Sequence, residues 1–301
     1  MVTPRASCHR PDRRAFLTAA SLALAALPLR AATARPRLAA IDWAMLETAI
    51  AIGHMPVAAC ELLRFRADAV VPEVPETVTD LGLRGAPNFE LLQLTRPDLI
   101  LSSPYYTRYE DKLARIAPVL SLPFYTPGEP PVPRALDALD DLAGAVEDPD
   151  AGRRARTDTD DELDRIATRL APFSDRPVAL IAVGDARHVR AFGFDSLFGS
   201  TLVRLGLQNA WSGLTEFSFL APVPLERLAA MPEARLVIVG DIPVEARHDL
   251  SRSILWHALP AVRDKRLFQL PDMNAFGAVP AALRFANELA RAFETGPHTT
   301  T

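Results

Sequence analysis

The chain has 301 residues, is 49% hydrophobic and 23% charged, and carries a formal net charge of −4. That length buries one large core or two modest ones. The acidity excludes the basic surface on which nucleic-acid binding rests.

In chain order, the first signal is a leader over residues 1–34. Arg13, Arg14, Phe16 and Leu17 precede an apolar run from Ala19 to Leu29, and Ala32-Thr33-Ala34 offers a small-x-small cleavage site. A charged start, a short apolar middle and a small-residue end describe an export signal of the twin-arginine type. The run is far shorter than the ~20 residues of a membrane-spanning helix. The leader holds five arginines against one aspartate, so its removal would leave 267 residues and take the charge from −4 to −8. Cys8 would leave with it, and Cys60 alone makes neither an internal disulfide nor a Cys-rich metal site. The expectation is an exported, unanchored periplasmic protein.

After the leader, short apolar runs alternate with amphipathic stretches. Strands are predicted at Leu38–Asp42, Val57–Cys60, Thr77–Leu81, Asp98–Ser103 and Val119–Pro123. Helices are predicted over Ala44–Ile52, after Pro87-Asn88, and over Glu110–Ala117. This is the pattern of a mostly parallel sheet covered by helices. Pro127–Pro133 reads as a bend and Ala135–Val146 as a helix. Residues 149–171 form one long charged helix, without Gly or Pro after Gly152, whose apolar stripe is Leu163, Ile166, Ala167 and Leu170. It is either a connector between two α/β halves or an ordinary surface helix. Beyond it come strands at Val178–Val183 and Arg235–Gly240, and helices at Ser196–Leu205, Ser251–Leu259 and Ala281–Phe293. No internal repeat of short period is evident.

Catalytic motifs are missing. The sequence has no Gly-x-Gly-x-x-Gly after a strand, no phosphate loop and no nucleophile elbow. Histidines 54, 188, 248, 257 and 298 stand singly and form no metal-ligand spacing. The acidic run Asp158–Asp164 reads as a solvated helix face.

Several blocks resemble the ferric-hydroxamate (ferrichrome-type) binding proteins of bacterial ABC importers. They are Thr79–Leu92, containing Arg84, Pro87, Asn88 and Glu90; Arg96–Ile100; Leu113–Pro118; Arg187-His188; Phe192-Gly193; Ser196–Phe198; Asn209–Gly213; Arg227–Ala229; and Trp256–Arg263. They keep their order from about residue 38 to 293, nearly the whole chain after the leader. The resemblance implies an α/β fold of two lobes joined by a single long helix: an N-terminal lobe over 35–148, the connecting helix over 149–172, and a C-terminal lobe over 173–301. Ligand would lie in a shallow cleft between lobes, and closure would be small with a helix as the hinge.

The implied function is capture of a ferric siderophore, with no catalysis and no cofactor. The siderophore supplies all six oxygens to the iron, so the protein needs hydrogen-bond donors and apolar lining, not metal ligands. Arg84 and Tyr106 match the family's two donors to hydroxamate oxygens. Trp211 matches a pocket tryptophan, and Tyr105, Phe219, Asn274 and Phe276 belong to the expected lining. Asp68, Ser102 and Ser218 stand where the family has aromatics, so the lining is thinned toward small and polar groups. Arg84 could instead pair with Asp80 or Glu90, Tyr106 could be an ordinary loop aromatic, and Phe276 could be core packing. Asp111 and Glu226, one per lobe, match carboxylates that meet an inner-membrane ABC permease with its cytoplasmic ATPase; they could also be ordinary surface acids. The protein would act as a monomer. Cobalamin, haem or a catecholate chelate on the same fold is the alternative cargo, and an exported chelate-processing enzyme the alternative class.

Overall fold

A computed structural model describes residues 35–213 and 221–297. The predicted leader and Phe219 lie outside them, as does Ser218. The first half builds a five-stranded, wholly parallel sheet from β1 (Leu38–Ala40), β2 (Ala58–Ala59), β3 (Thr79–Asp80), β4 (Leu99–Ser102) and β5 (Val119–Ser121) in the order β3-β2-β1-β4-β5. Helices α1 (Trp43–Ala51), α2 (Leu62–Asp68), α3 (Phe89–Thr95) and α4 (Glu110–Ala114) make the crossovers. Each crossover returns the chain to the amino end of the sheet, so every strand's carboxyl end opens on one side.

Helix α5 (Pro131–Ala145) begins inside the segment read as a bend, because its prolines occupy the first turn, where a missing N–H costs nothing. Helix α6 (Pro149–Leu170) follows at once, capped by the Asp148 side chain on the Ala151 N–H. The two helices cross closely at Gly152, where a Cβ would stand 2.7 Å from that of Ala143. His54 Nε2, buried in the first half, lies 3.1 Å from the Asp148 carboxylate. That bond holds Asp148 below the usual carboxylate range.

The second sheet runs β10-β9-β6-β7-β8, from β6 (Val178–Val183), β7 (His188–Ala191), β8 (Ala221–Pro224), β9 (Arg235–Val239) and β10 (Leu267–Leu270). β6, β9 and β10 are parallel, while β7 is antiparallel to both its neighbours, β6 and β8. The helix expected over Ser251–Leu259 is instead three short ones: α8 (Val244–Ser251), α9 (Ile254–Ala258) and α10 (Pro260–Arg263). Ser253 caps α9 through the Trp256 N–H and starts a new helix, and Pro260 starts another. Helix α7 (Leu197–Arg204) precedes Gly206, whose φ of +77° suits the left-handed turn after a helix.

The long helix touches both halves. Arg156 bonds Asp137 and Asp140 of α5, while Arg204 of α7 bonds Asp160 and Asp164. Arg169 bonds Glu294 of the last helix, α11 (Val279–Thr295). Beneath these exposed pairs one continuous apolar cluster runs from Leu38 in β1 through Leu142, Leu163 and Phe198 to Phe285 and Phe293. A shared core of this kind resists large hinge motion.

Candidate binding cleft

In an open parallel sheet, ligands bind outside the carboxyl ends of the strands, where strand order reverses. Here that point lies between β1 and β4. The residues emerging there are Asp42 and Trp43 after β1, Glu61 after β2, Arg84 in the loop after β3, and Ser103 to Tyr106 after β4.

These side chains form one cluster. Arg84 Nε donates to Glu61 Oε2 at 2.8 Å, and the Arg84 backbone N–H reaches Glu61 Oε1 at 3.2 Å. The guanidinium carbon lies 3.8 Å from the centre of the Trp43 ring, a cation–π stack. Trp43 is itself fixed by its Nε1–H bond to the Cys60 carbonyl and by the edge of Phe65. Asp42 caps α1 through the Ala44 and Met45 N–H groups, and its second oxygen accepts from the Ser103 hydroxyl at 2.9 Å. Burial raises the Asp42 carboxyl pKa, against the pull of Ser103, the two N–H groups and Arg84. Tyr106 is buried, with its ring packed near Leu81, Leu92 and Leu113. Burial raises its phenol, the negative charge of Asp42 adds to this, and Arg84 opposes it.

Arg84 therefore pairs with neither Asp80 nor Glu90. Asp80 spends its carboxylate on the Gly82 and Leu63 N–H groups, shaping the loop that carries Arg84. The partner, Glu61, sits at φ +53°, a left-handed conformation a non-glycine residue adopts at a cost. Among the described residues, Arg84 uses only Nε on a protein partner, so both terminal nitrogens keep their donors. Leu63, Leu83 and Tyr105 are strongly exposed beside this cluster.

From the second half, the segment after β10 packs against Glu47 of α1 and against Tyr125. Phe276 is 40% exposed and meets Tyr125 edge-on at 6.0 Å. The Tyr125 hydroxyl donates to the Gly277 carbonyl at 2.6 Å. Asn274 is buried, and its amide is taken by Glu47 and by the Phe276 N–H, so it is not an open pocket donor. Charge from Asp42 acts on Glu47, Tyr125 and Tyr106 alike, and Arg84 in turn acts on Asp42. Arg84 and Tyr106 thus gather at the amino end of α1, while Asn274 and Phe276 adjoin Glu47 in the middle of the same helix and Tyr125.

Trp211 is placed differently. Its ring lies against Gly193 and Gly213 with Arg227 at 5.7 Å, on the core cluster of the second sheet. Its Nε1 is buried and has no partner among the described residues. Asp111 and Glu226 are exposed, each in the first turn of a short helical segment. Among the described residues, no three His, Cys, Asp or Glu side chains are grouped to hold a metal ion, and no helix is long and apolar enough to cross a membrane. Asp42, Trp43, Glu61 and Ser103 escaped the sequence reading. Their signal was position: each lies within three residues of the carboxyl end of a parallel strand.

The profile of a family described as periplasmic binding protein matches residues 38–273. The iron(3+)-hydroxamate-binding protein FhuD of Escherichia coli is 30% identical over 285 residues, covering 93% of this chain and 96% of that one. The Fe3+–Desferal-bound siderophore binding protein FhuD from Vibrio cholerae superposes with a TM-score of 0.80 at 22% identity, over 88% of this chain and all of that one. The periplasmic catecholate-siderophore binding protein VctP from Vibrio cholerae gives 0.64 at 17% identity, over 87% and 94%.

Proposed function

Since this chain belongs to the periplasmic binding protein family, we propose that it captures a ferric hydroxamate siderophore in the periplasm and delivers it to an inner-membrane ABC permease with its ATPase. Members of this family are binding proteins, not enzymes, and the iron here is cargo, held by its chelator. The shared fold serves both hydroxamate and catecholate binders, so the choice of chelate must come from the cleft's own chemistry.

One observation carries the hydroxamate reading. The cleft sets one guanidinium, Arg84, against two carboxylates, Glu61 and Asp42. A ferric trihydroxamate is neutral and asks only for donors, which the terminal nitrogens of Arg84 and the Tyr106 phenol supply. A ferric tricatecholate carries three negative charges and would meet a site whose cation is already balanced. Tyr105, Leu63, Leu83 and Phe276 offer apolar contact to the organic shell.

Trp43, stacked under Arg84, makes the test optical. A ferric trihydroxamate should quench tryptophan emission with micromolar or tighter affinity, and a ferric tricatecholate should bind at least about ten-fold more weakly. Tighter binding of the catecholate, or no response to any ferric hydroxamate, would sink the proposal. Cobalamin serves as a control for the alternative cargo.

Asp111 and Glu226 supply one exposed acid to each lobe for arginines of the permease. Rim charges of this kind govern encounter more than affinity. The double variant Asp111→Ala, Glu226→Ala should bind chelate normally yet support slower iron uptake in cells. Normal uptake would remove the docking role.

A further inference from the structure

Helix α11 cannot cap itself. Its N-cap residue is Ala278, which has no side-chain acceptor, and Pro280 follows in the first turn. The missing acceptor comes from the other lobe. Glu47 of α1, with no exposed surface, accepts from the Ala278 N–H at 2.7 Å and the Ala281 N–H at 3.1 Å through one oxygen. Its other oxygen accepts from Asn274 Nδ2 at 2.8 Å. The fit leaves no slack: a Cβ on Gly277 would stand 2.4 and 2.6 Å from the two Glu47 oxygens. Tyr125, also from the first lobe, bonds the Gly277 carbonyl and lies edge-on to Phe276. Two first-lobe side chains therefore hold the segment 274–281, which carries the exposed Phe276.

We infer that Glu47 is a positioning residue for cargo, latching the second-lobe wall to the floor of the cleft so that Phe276 is held at a fixed distance from Arg84. This rests on the siderophore reading of the cleft, although the latch itself can be tested without any ligand. Charged and titratable groups near Glu47 are Asp42 at the head of its own helix, Tyr125 before α5 and Arg284 on α11.

The latch has a definite pH signature. Burial pushes the Glu47 carboxyl up to about 7, against the pull of the Ala278, Asn274 and Ala281 donors, while the charge of Asp42 raises it further. A carboxyl raised in the latched state and ordinary when released makes the latch most stable when protonated. That stability is full below the ordinary range near 4.5 and is lost as pH rises through about 7.

The experiment compares amide exchange at Ala278 and Ala281 in the ligand-free wild type and in Glu47→Gln, corrected for intrinsic rates. Between about pH 6 and 8 the wild-type amides should exchange about ten-fold faster than the correction predicts, and those of Glu47→Gln should show no such excess. Ferric trihydroxamate binding at the lower pH adds the functional arm. Glu47→Ala, which loses the latch, should bind about ten-fold more weakly, and Glu47→Gln, which keeps an acceptor for α11, within about three-fold of wild type. Equal pH behaviour of the amides in wild type and Glu47→Gln overturns the inference, as does unchanged chelate affinity in Glu47→Ala. Should Glu47→Ala not fold, the exchange comparison with Glu47→Gln decides. A wild type that binds no chelate would fell the siderophore reading alone, and the ligand-free comparison would still judge the latch.

Discussion

Replacing Arg84 with alanine should weaken chelate binding by about 1–3 kcal/mol, roughly 5- to 150-fold. The loss has two parts. The chelate's oxygens lose the two terminal nitrogens that no described protein group uses. Separately, Glu61 is left without its cation. The side chains of Arg84 and Glu61 are only 19% and 15% exposed, and Asp42 adds a second negative charge nearby. Breaking a pair this buried costs about 3–5 kcal/mol of stability, because the stranded charge keeps its desolvation penalty. Loss of the stack on Trp43 adds about 1 kcal/mol. Binding and folding effects are separable by a cycle. Arg84→Ala with Glu61→Gln should regain most of the unfolding temperature but none of the chelate affinity. Arg84→Lys should keep charge yet lose the fork geometry, and fall between wild type and alanine. Unchanged affinity in Arg84→Ala, measured by tryptophan quenching or calorimetry, would return Arg84 to a purely structural role.

Arg84 also marks the boundary of what the residues alone disclose. The parallel half, β6 and the long helix were legible because their signals are local: runs such as Val178–Val183, and 18 residues without Gly or Pro from Arg153 to Leu170. β7 and β8 were not, since strands containing His188, Arg190, Pro222 and Pro224 carry little apolar alternation and are defined by their pairing. Arg84 and Tyr106 came from the resemblance, but Glu61 did not, because it lies 23 residues from Arg84 on a different strand end. Glu47 was hidden more deeply, its partners Asn274 and Ala278 being 227 and 231 residues away. A trace of it was present all the same. In Trp43–Ala51 it is the only charge in a helix apolar nearly all round, and such a helix is buried on every side. A charge there must find partners inside the protein.

The block Phe192-Gly193 with Ser196–Phe198 leads to a second large expected effect on stability, comparable with that of Arg84→Ala. Gly199, in the first turn of α7, sits directly against the loop before it. A Cβ there would lie 1.8 Å from the Gly193 carbonyl oxygen and 2.6 Å from its carbon. Both are backbone atoms, and the loop is tied down. The Gly193 carbonyl accepts from the Ser196 hydroxyl at 2.6 Å, while the Phe192 N–H and carbonyl bond Leu180 and Asn209. Relief would have to come from α7 itself. Moving it would pull Phe198 from its stack on Phe285 of α11, at 4.8 Å, and Ser200 from the Val132 N–H of α5. Gly199→Ala should therefore cost about 3–5 kcal/mol, above the usual range for overpacking, and lower the unfolding temperature by roughly 10 °C. Gly144→Ala is the matched control, since that exposed position in α5 has no atom within 4 Å of a new Cβ. There alanine should stabilise by up to about 1 kcal/mol through helix propensity. Opposite signs from the same one-methyl change would show that the close approach at Gly193, and not the loss of glycine as such, fixes α7 against the helix whose amino end Glu47 holds. Equal unfolding temperatures for wild type and Gly199→Ala would refute it.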